Sequence, residues 1–382
     1  MDSLSKLLEG FSNFTWQSGV MLLIGGLLIA LAIWKKWEPM LLLPIGFGAI
    51  MANIPLSSAV GVSATGEPGF LSVLYDAGIV TELFPILIFV AIGAMIDFTP
   101  LFKQPFMLFF GGAAQFGIFM TMMLALCVNL IRPGTFSIQE AGAIGIIGAA
   151  DGPTSIFAAQ LMATKLIAPI TVAAYSYMSL VPMIQPPVIR ALTTKKERMI
   201  RMEYTEGRPV PKIVKILFPI LVTVIAGFIA PISVSLIGAL MFGNLLRECT
   251  VLDKLSETAQ NALGNLVTLL LGITIGSTMK AAEFLTWQTL LIMSLGLIAF
   301  VFDTAGGVLF AKFLNLFLKK KINPMIGACG ISAFPMSARV IHKMGQQEDP
   351  GNFLLMPAIS ANVSGQIGSI IAGSVILAML AS

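Results

Sequence analysis

Charge is what this sequence has least of. Asp, Glu, Lys and Arg make up 11% of its 382 residues, against about 25% in a soluble globular domain. So few charges could not cover the surface of a water-soluble globule of this length. A soluble enzyme, a disordered chain and a nucleic-acid binder are thereby excluded. Histidine occurs once, at His342, which excludes a multi-histidine metal centre. The three cysteines, Cys127, Cys249 and Cys329, are far apart and show no C-x-x-C spacing. Neither a disulfide framework nor a cysteine metal site is signalled. The first residues lack a basic segment followed by a short apolar run and a small-residue cleavage site, so no cleavable signal is expected. The net charge of +4 is small and sits in loops, where it bears on topology rather than on partners.

What fills the chain instead is apolar sequence, 57% of all residues. It comes in non-alternating stretches of roughly 18–30 residues, the length of membrane-spanning helices and not the pattern of a barrel. Candidates fall at 17–34, 39–54, 81–97, 104–131, 141–165, 167–192, 213–230, 231–247, 260–279, 286–317, 322–345 and 353–381. Several are at the lower length limit, so the expectation is an all-α polytopic membrane protein of 10–12 transmembrane helices. Leu4, Leu7, Leu8, Phe11 and Phe14 share one helical face, which predicts an interfacial helix within residues 1–16.

The loop at 193–215 holds Lys195, Lys196, Arg198, Arg201, Arg208, Lys212 and Lys215, which places it in the cytoplasm by the positive-inside rule. Lys319, Lys320 and Lys321 follow four candidate spans later, on the same side. The loop at 55–80 has Glu67 and Asp76 but no Lys or Arg, and so reads as outside. Strict alternation of spans puts it inside. The clash predicts that one segment does not cross.

The chain also reads as duplicated. A shift of 182 residues superposes Ile144, Gly145, Gly148, Pro153, Ser155 and Met162 on Ile326, Gly327, Gly330, Pro335, Ser337 and Met344. The expected division is a first half at 17–192, the basic loop at 193–215 and a second half at 216–382. Such halves are often inverted, with broken helices and the site at their interface. Inversion needs an odd number of crossings between equivalent helices, and the segments above give six.

The matching segments are rich in helix breakers: Gly145 to Ser155, and Asn323 to Ser337. In a bilayer, freed carbonyls and N–H groups survive only where protein or a cavity satisfies them. Oxygen ligands of this kind suit a hard cation, although glycine-rich helices also pack closely without an ion. Asp151 lies at the first break. An aspartate at the bilayer centre costs about 2.5–3.5 kcal/mol on insertion scales, so it needs a cation, a proton or a fixed partner. Asp303 is a second intramembrane carboxylate, in a segment long enough to tilt and bring it to a hydrated edge. Asp97 and Glu82 sit at span ends and read as interfacial. Arg339 is either a snorkelling end residue or an anion-binding group. His342 shares its face and reads as an exposed end residue. Asn362, Gln366 and Ser369 form a polar stripe on the last span. Tyr177 is mid-span, so its hydroxyl needs a partner.

At Gly148-Ala149-Ala150-Asp151-Gly152-Pro153-Thr154, at Asn323 to Arg339 and at Asn362-Val363-Ser364-Gly365, the sequence resembles the beta subunits of sodium-translocating biotin-dependent decarboxylases. The likeness covers nearly the whole chain and shows no departure at these motifs. The family includes oxaloacetate, methylmalonyl-CoA, glutaconyl-CoA and malonate pumps. The resemblance implies a multi-pass protein of the cytoplasmic membrane that decarboxylates carboxybiotin, consumes a proton and exports sodium. It implies sodium binding by Asp151, Asn323, Gly327, Ser332 and Asn362, catalytic roles for Asp151, Tyr177 and Arg339, and carboxybiotin contact by Arg339. Implied partners are a carboxyltransferase alpha subunit, a biotin carrier subunit, a small gamma- or delta-type membrane subunit and further copies of the chain. The residues alone also fit a sodium/proton antiporter, a sodium-coupled organic anion symporter or a membrane scaffold.

Overall fold

The computed structural model describes residues 9–61, 66–202, 209–229 and 231–380, and these form a helical protein. Of the expected interfacial helix, residues 9–12 are helical and 1–8 lie outside the described residues. Polarity is turned inside out. Trp16, Leu23, Trp34, Leu130, Phe228, Leu290 and Leu316 are exposed, while Asp151, Asp303, Asn362 and Gln366 are buried. Such a surface is stable against lipid and not against water.

The first half contains α1 (Trp16–Trp34), α2 (Pro39–Asn53), α3 (Leu83–Met95), α4 (Leu108–Ala114), α5 (Phe116–Ile131), α6 (Ile138–Gly145), α7 (Gly152–Met162) and α8 (Ile167–Leu192). The second contains α9 (Lys212–Ile229), α10 (Val234–Glu248), α11 (Gly264–Thr278), α12 (Trp287–Phe317), α13 (Met336–Glu348) and α14 (Leu355–Leu380). Polar residues set several starts. Thr15, Ser137 and Thr286 each accept a hydrogen bond from a backbone N–H in the first turn. By length and composition, 5 stretches can cross a membrane, or 7 with two pairs bent by 62° and 66°. The shorter α2 and α10 run parallel to α11 and α3. An added Cβ at Gly276 would meet the Ile45 carbonyl at 2.1 Å, and one at Gly243 would meet that of Val90 at 2.0 Å. Each therefore shares the membrane depth of its partner.

Side-chain contacts sort the helix ends into two faces. On one, Arg198 pairs with Glu348 at 2.7 Å, Arg201 with Asp349 at 2.6 Å and Lys312 with Glu197 at 3.2 Å. Lys215 pairs there with Glu248 at 3.6 Å, and Arg247 with Asp97 at 4.0 Å. This basic face gathers the ends of α3, α8, α10 and α12 and the starts of α9 and α14. On the other, Gln288 donates to the Thr135 carbonyl at 3.0 Å, and Asn53 to that of Met279 at 2.7 Å. A polar cavity there joins Asp76, Thr164, Lys165, Thr278, Lys280 and Glu283. Asp76 of the acidic segment thus lies on the face opposite Arg198 and Arg201, and Asp97 sits among the helix ends of the basic face.

These contacts locate the segments that do not cross. The hairpin of α6 and α7 starts beside Thr135 and ends beside Thr164, both on the polar-cavity face. The segment from Asn323 through α13 starts and ends on the basic face: Asn323 donates to the Arg198 and Ile200 carbonyls, and Glu348 pairs with Arg198. Both are re-entrant. With both hairpins turning back, ten segments are left to cross, namely α1, α2, α3, α4 with α5, α8, α9, α10, α11, α12 and α14, of which all but α2, α9 and α10 meet the length and composition of a span. Five of them precede α9, the odd number that an inverted repeat requires. Counting the first hairpin as a span produced the even number in the sequence.

Equivalent contacts recur in the halves. Asn129 Nδ2 donates to the Phe136 carbonyl at 2.6 Å and its Oδ1 accepts from Phe136 N–H at 3.0 Å. Asn315 does the same to Ile322, also seven residues on, at 2.7 Å for both bonds. Each clasp closes the turn that leads into a re-entrant hairpin.

Candidate functional site

The first break follows from its glycines and proline. Helix α6 gives way at Gly145 to a 3-10 turn, Ile146–Ala149. Ala150 then takes the left-handed conformation, with φ of 54°, and Asp151 is extended. Gly152-Pro153 opens α7, where a missing N–H is harmless. Asp151 caps this helix. Its Oδ2 accepts from Thr154 Oγ1 at 2.7 Å and from Ser369 Oγ at 3.4 Å. Thr154 N–H reaches Oδ1 at 3.5 Å. The carboxyl is 4% exposed and, among the described residues, forms no ion pair.

The second break is a 3-10 segment, Pro324–Gly330, followed by extended chain. Its freed carbonyls are claimed by amide side chains from three other helical elements. Gln185 donates to Ala328 O at 2.7 Å, and Gln115 approaches Gly330 O at 3.5 Å. Asn362 donates to Cys329 O at 3.2 Å and Ile331 O at 2.7 Å, and Gln366 donates to Ser332 O. The carbonyls from 328 to 332 are thereby satisfied inside the membrane, as the absence of water demands. The amides have turned their NH2 groups to the break. Their other ends, Gln115 Oε1, Asn362 Oδ1 and Gln366 Oε1, are buried without a hydrogen-bond partner among the described residues.

The two breaks meet at the hairpin tips. Ser332 N–H donates to the Ala149 carbonyl at 3.3 Å, and Ser332 Oγ lies 3.0 Å from Ser369 Oγ. Ser369 thus links the second tip to Asp151. One carboxylate and the hydroxyls of Thr154, Ser332 and Ser369 meet at this junction, and Gln366 and Asn362 stand one and two turns before Ser369 on α14. Such a set fits a hard monovalent cation: oxygens only, one negative charge, no competing basic group. No group of three or more His, Cys, Asp or Glu exists among the described residues, which leaves neutral oxygens as the remaining donors.

Of the sequence-derived candidates, Asp151, Ser332 and Asn362 come together here. Others lie elsewhere. Asn323 is at the base of the second hairpin, where its Oδ1 caps Met325 N–H at 3.1 Å and its amide holds the basic loop. Gly327 packs against Gly307 of α12 so closely that an added Cβ would lie 1.9 Å from the Gly307 carbonyl. Tyr177 donates to the Met293 carbonyl at 2.6 Å, which supplies its expected partner. The aromatic hydroxyl beside Asp151 is that of Tyr175, whose ring lies over Gly152. Arg339 is exposed on the first turn of α13, and no ion pair ties it among the described residues. Asp303 is fully buried, not at a hydrated edge. The stripe of Asn362, Gln366 and Ser369 faces the tips, as its spacing required. Gln115, Gln185 and Thr154 are site residues that sequence reasoning passed over. An amide in the middle of an apolar run was the available signal for the two glutamines.

Comparison with known proteins then decides the family. The model for the Na+-transporting oxaloacetate decarboxylase beta subunit matches residues 17–380. The chain belongs to this family. It is 50% identical over 372 residues to the glutaconyl-CoA decarboxylase subunit beta of Acidaminococcus fermentans, covering 97% of this chain and 96% of the relative. It is 46% identical to the methylmalonyl-CoA decarboxylase subunit beta of Propionigenium modestum, with 97% and 96% covered. It is 44% identical to the oxaloacetate decarboxylase beta chain 2 of Salmonella typhi, with 99% of each covered. The chain is therefore a multi-pass membrane protein of a sodium-transporting decarboxylase family. The resemblance seen at the motifs extends along the whole sequence.

Proposed function

We propose that this chain decarboxylates carboxybiotin presented by a biotin carrier subunit and couples that step, with consumption of a proton, to sodium export. The observation that carries the reading is Asp151. It is a buried carboxylate without a basic partner, placed where two re-entrant hairpins from opposite faces meet. A site at such a junction is reached from either side by small movements of the tips, as alternating access requires. Sodium would take Asp151 with Ser332, Ser369 and the free oxygens of Asn362 and Gln366. In this reading Asn323 and Gly327 act by seating the second hairpin. The halves are residues 17–192 and 216–382, joined by the basic loop at 193–215.

Carboxybiotin is an anion, and Arg339, exposed on α13 and without an ion pair among the described residues, offers a cation to it. Met336, one turn earlier, lines a cavity of about 340 Å3 with Lys35, Lys36, Trp37, Glu38 and Met183. Loss of CO2 leaves a basic biotin nitrogen that takes up a proton. Sodium and a proton compete for Asp151, since one carboxylate holds either but not both well. Tyr177 supports the coupling through α12, to which it is bonded. The partners in this reading are a carboxyltransferase alpha subunit, the biotin carrier, a small gamma- or delta-type subunit and further copies of the chain.

The test is Asp151→Asn in the assembled complex, reconstituted in proteoliposomes. Sodium uptake should fall at least tenfold while the complex still forms. Normal sodium uptake by this variant would overturn the reading. A streptavidin probe of the purified complex separates the rivals. A biotinylated subunit supports the decarboxylase, whereas transport by the chain alone supports an antiporter or symporter.

A further inference from the structure

Asp303 is a second fully buried carboxyl, and the site above does not use it. It lies in the middle of α12, in a notch made by two glycines. An added Cβ at Gly117 of α5 would lie 1.8 Å from Asp303 Oδ1, and one at Gly148, in the first break, 3.3 Å from Oδ2. Neither carboxyl oxygen has a hydrogen-bond partner among the described residues. The Gly117 N–H is the donor that approaches it, and it falls short of hydrogen-bond geometry. No lysine, arginine or histidine pairs with it among the described residues.

The elements packed on α12 here are poor in charge. Helix α4 and the 3-10 turn Ile146–Ala149 carry none, α5 has only the thiol of Cys127, and Asp151 is the one carboxyl of the first break, three residues beyond Gly148. The titratable residues on the other packed elements are Glu140 of α6, Tyr175, Tyr177 and Arg190 of α8, and Cys329 of the second break. A bare carboxylate in such a place would carry a penalty of several kcal/mol. The backbone of Gly117 and Ile118 and the Ala299 carbonyl crowd the carboxyl so closely that not even an added Cβ fits at Gly117, which leaves no room for a sodium ion with its several oxygen ligands. The ligand that fits is a proton.

We propose that Asp303 is a proton-binding site of this protein, protonated in the conformation seen, that loads and unloads as the first break moves. Gly148 lies three residues before Asp151, so motion of the first hairpin that opens the sodium site also opens this notch. The step is proton transfer alone: an O–H bond at Asp303 breaks and one forms on water. A purely structural Asp303 would be replaced without loss by the neutral, equal-sized asparagine. A proton carrier would not.

Two measurements test this. The first is Asp303→Asn in the reconstituted complex. Complex assembly and half-saturating sodium should stay within about twofold of wild type, while turnover falls at least tenfold and its pH dependence flattens. Wild-type turnover with the wild-type pH profile overturns the proposal. The second uses unmodified complex treated with an apolar carbodiimide, which reacts with protonated carboxyls, followed by peptide mass mapping. An adduct at Asp303 is expected, its yield falling as pH rises. No adduct between pH 6 and 9 overturns the proposal. The labelling needs no decarboxylation, so it stands apart from the carboxybiotin reading, and it also decides if the asparagine variant fails to assemble.

Discussion

Ser369 is the smallest group that touches both hairpins. Its hydroxyl lies 3.0 Å from Ser332 Oγ and 3.4 Å from Asp151 Oδ2. Ser369→Ala removes that link and one oxygen while leaving the helix intact. A hydrogen bond to a charged group contributes about 1.5–3 kcal/mol, and 1.4 kcal/mol is about tenfold in affinity. We expect half-saturating sodium to rise about tenfold or more, read from the sodium dependence of decarboxylation, with little change in thermal stability. The aspartate and its polar stripe were legible in the sequence because ionisable and amide residues stand out against apolar spans. The partners were not. Gln185 meets a carbonyl 143 positions away, and nothing local in an apolar run announces that.

At the scale of elements, close backbone approach and amide capture hold the helices in place. Helices α2 and α11 touch through Gly48 and Gly276, each of which would drive an added Cβ to within 2.2 Å of a carbonyl on the other. Gly276→Ala must push them apart, and overpacking of this kind costs about 1–3 kcal/mol. The expected result is a lower melting temperature in detergent. Gln185→Leu takes from the Ala328 carbonyl its amide donor, leaving Ser337 Oγ at 3.1 Å as the other, and takes from Ser337 Oγ the Gln185 Oε1 acceptor at 3.0 Å. A buried hydrogen bond contributes about 0.5–1.5 kcal/mol net, so this variant should also melt earlier. Gln185→Glu would restore the size but not the donor, and should not rescue it. Helix breaks were legible as runs of glycine and proline. Their re-entrant course was not, because a hairpin of two short apolar arms has the composition of one span.

At the scale of the molecule, the sequence held a contradiction between its charges and its parity, and the first hairpin removes it. Single cysteines on a cysteine-free background check this. Arg132→Cys and Lys165→Cys should be modified from one side of the membrane by an impermeant maleimide, and Lys319→Cys and Gly351→Cys from the other. Labelling of the two members of either pair from different sides would mean that the hairpin crosses. The basic face has its own pH limit. Hydrogen bonding from the Arg201 guanidinium holds the Asp349 carboxyl below its ordinary value of 3.8. A lowered value contributes stability above the ordinary value and loses it as pH falls through the folded one. Protease protection of the 193–215 loop should therefore hold at neutral pH and weaken only below about pH 4.

The amide donors also divide the labour between the two breaks. Gln115, Gln185, Asn362 and Gln366 bolt the second hairpin to its surroundings through successive carbonyls. At about 0.5–1.5 kcal/mol net for each bond, shifting that tip would break several bonds at once. Among the described residues, no amide side chain holds the first break in this way. Its Ile146 carbonyl is met by Ser155 of its own hairpin and its Ala149 carbonyl by the tip opposite. In the proposed cycle the second hairpin would serve as the fixed jaw and the first, which carries Asp151, as the moving one.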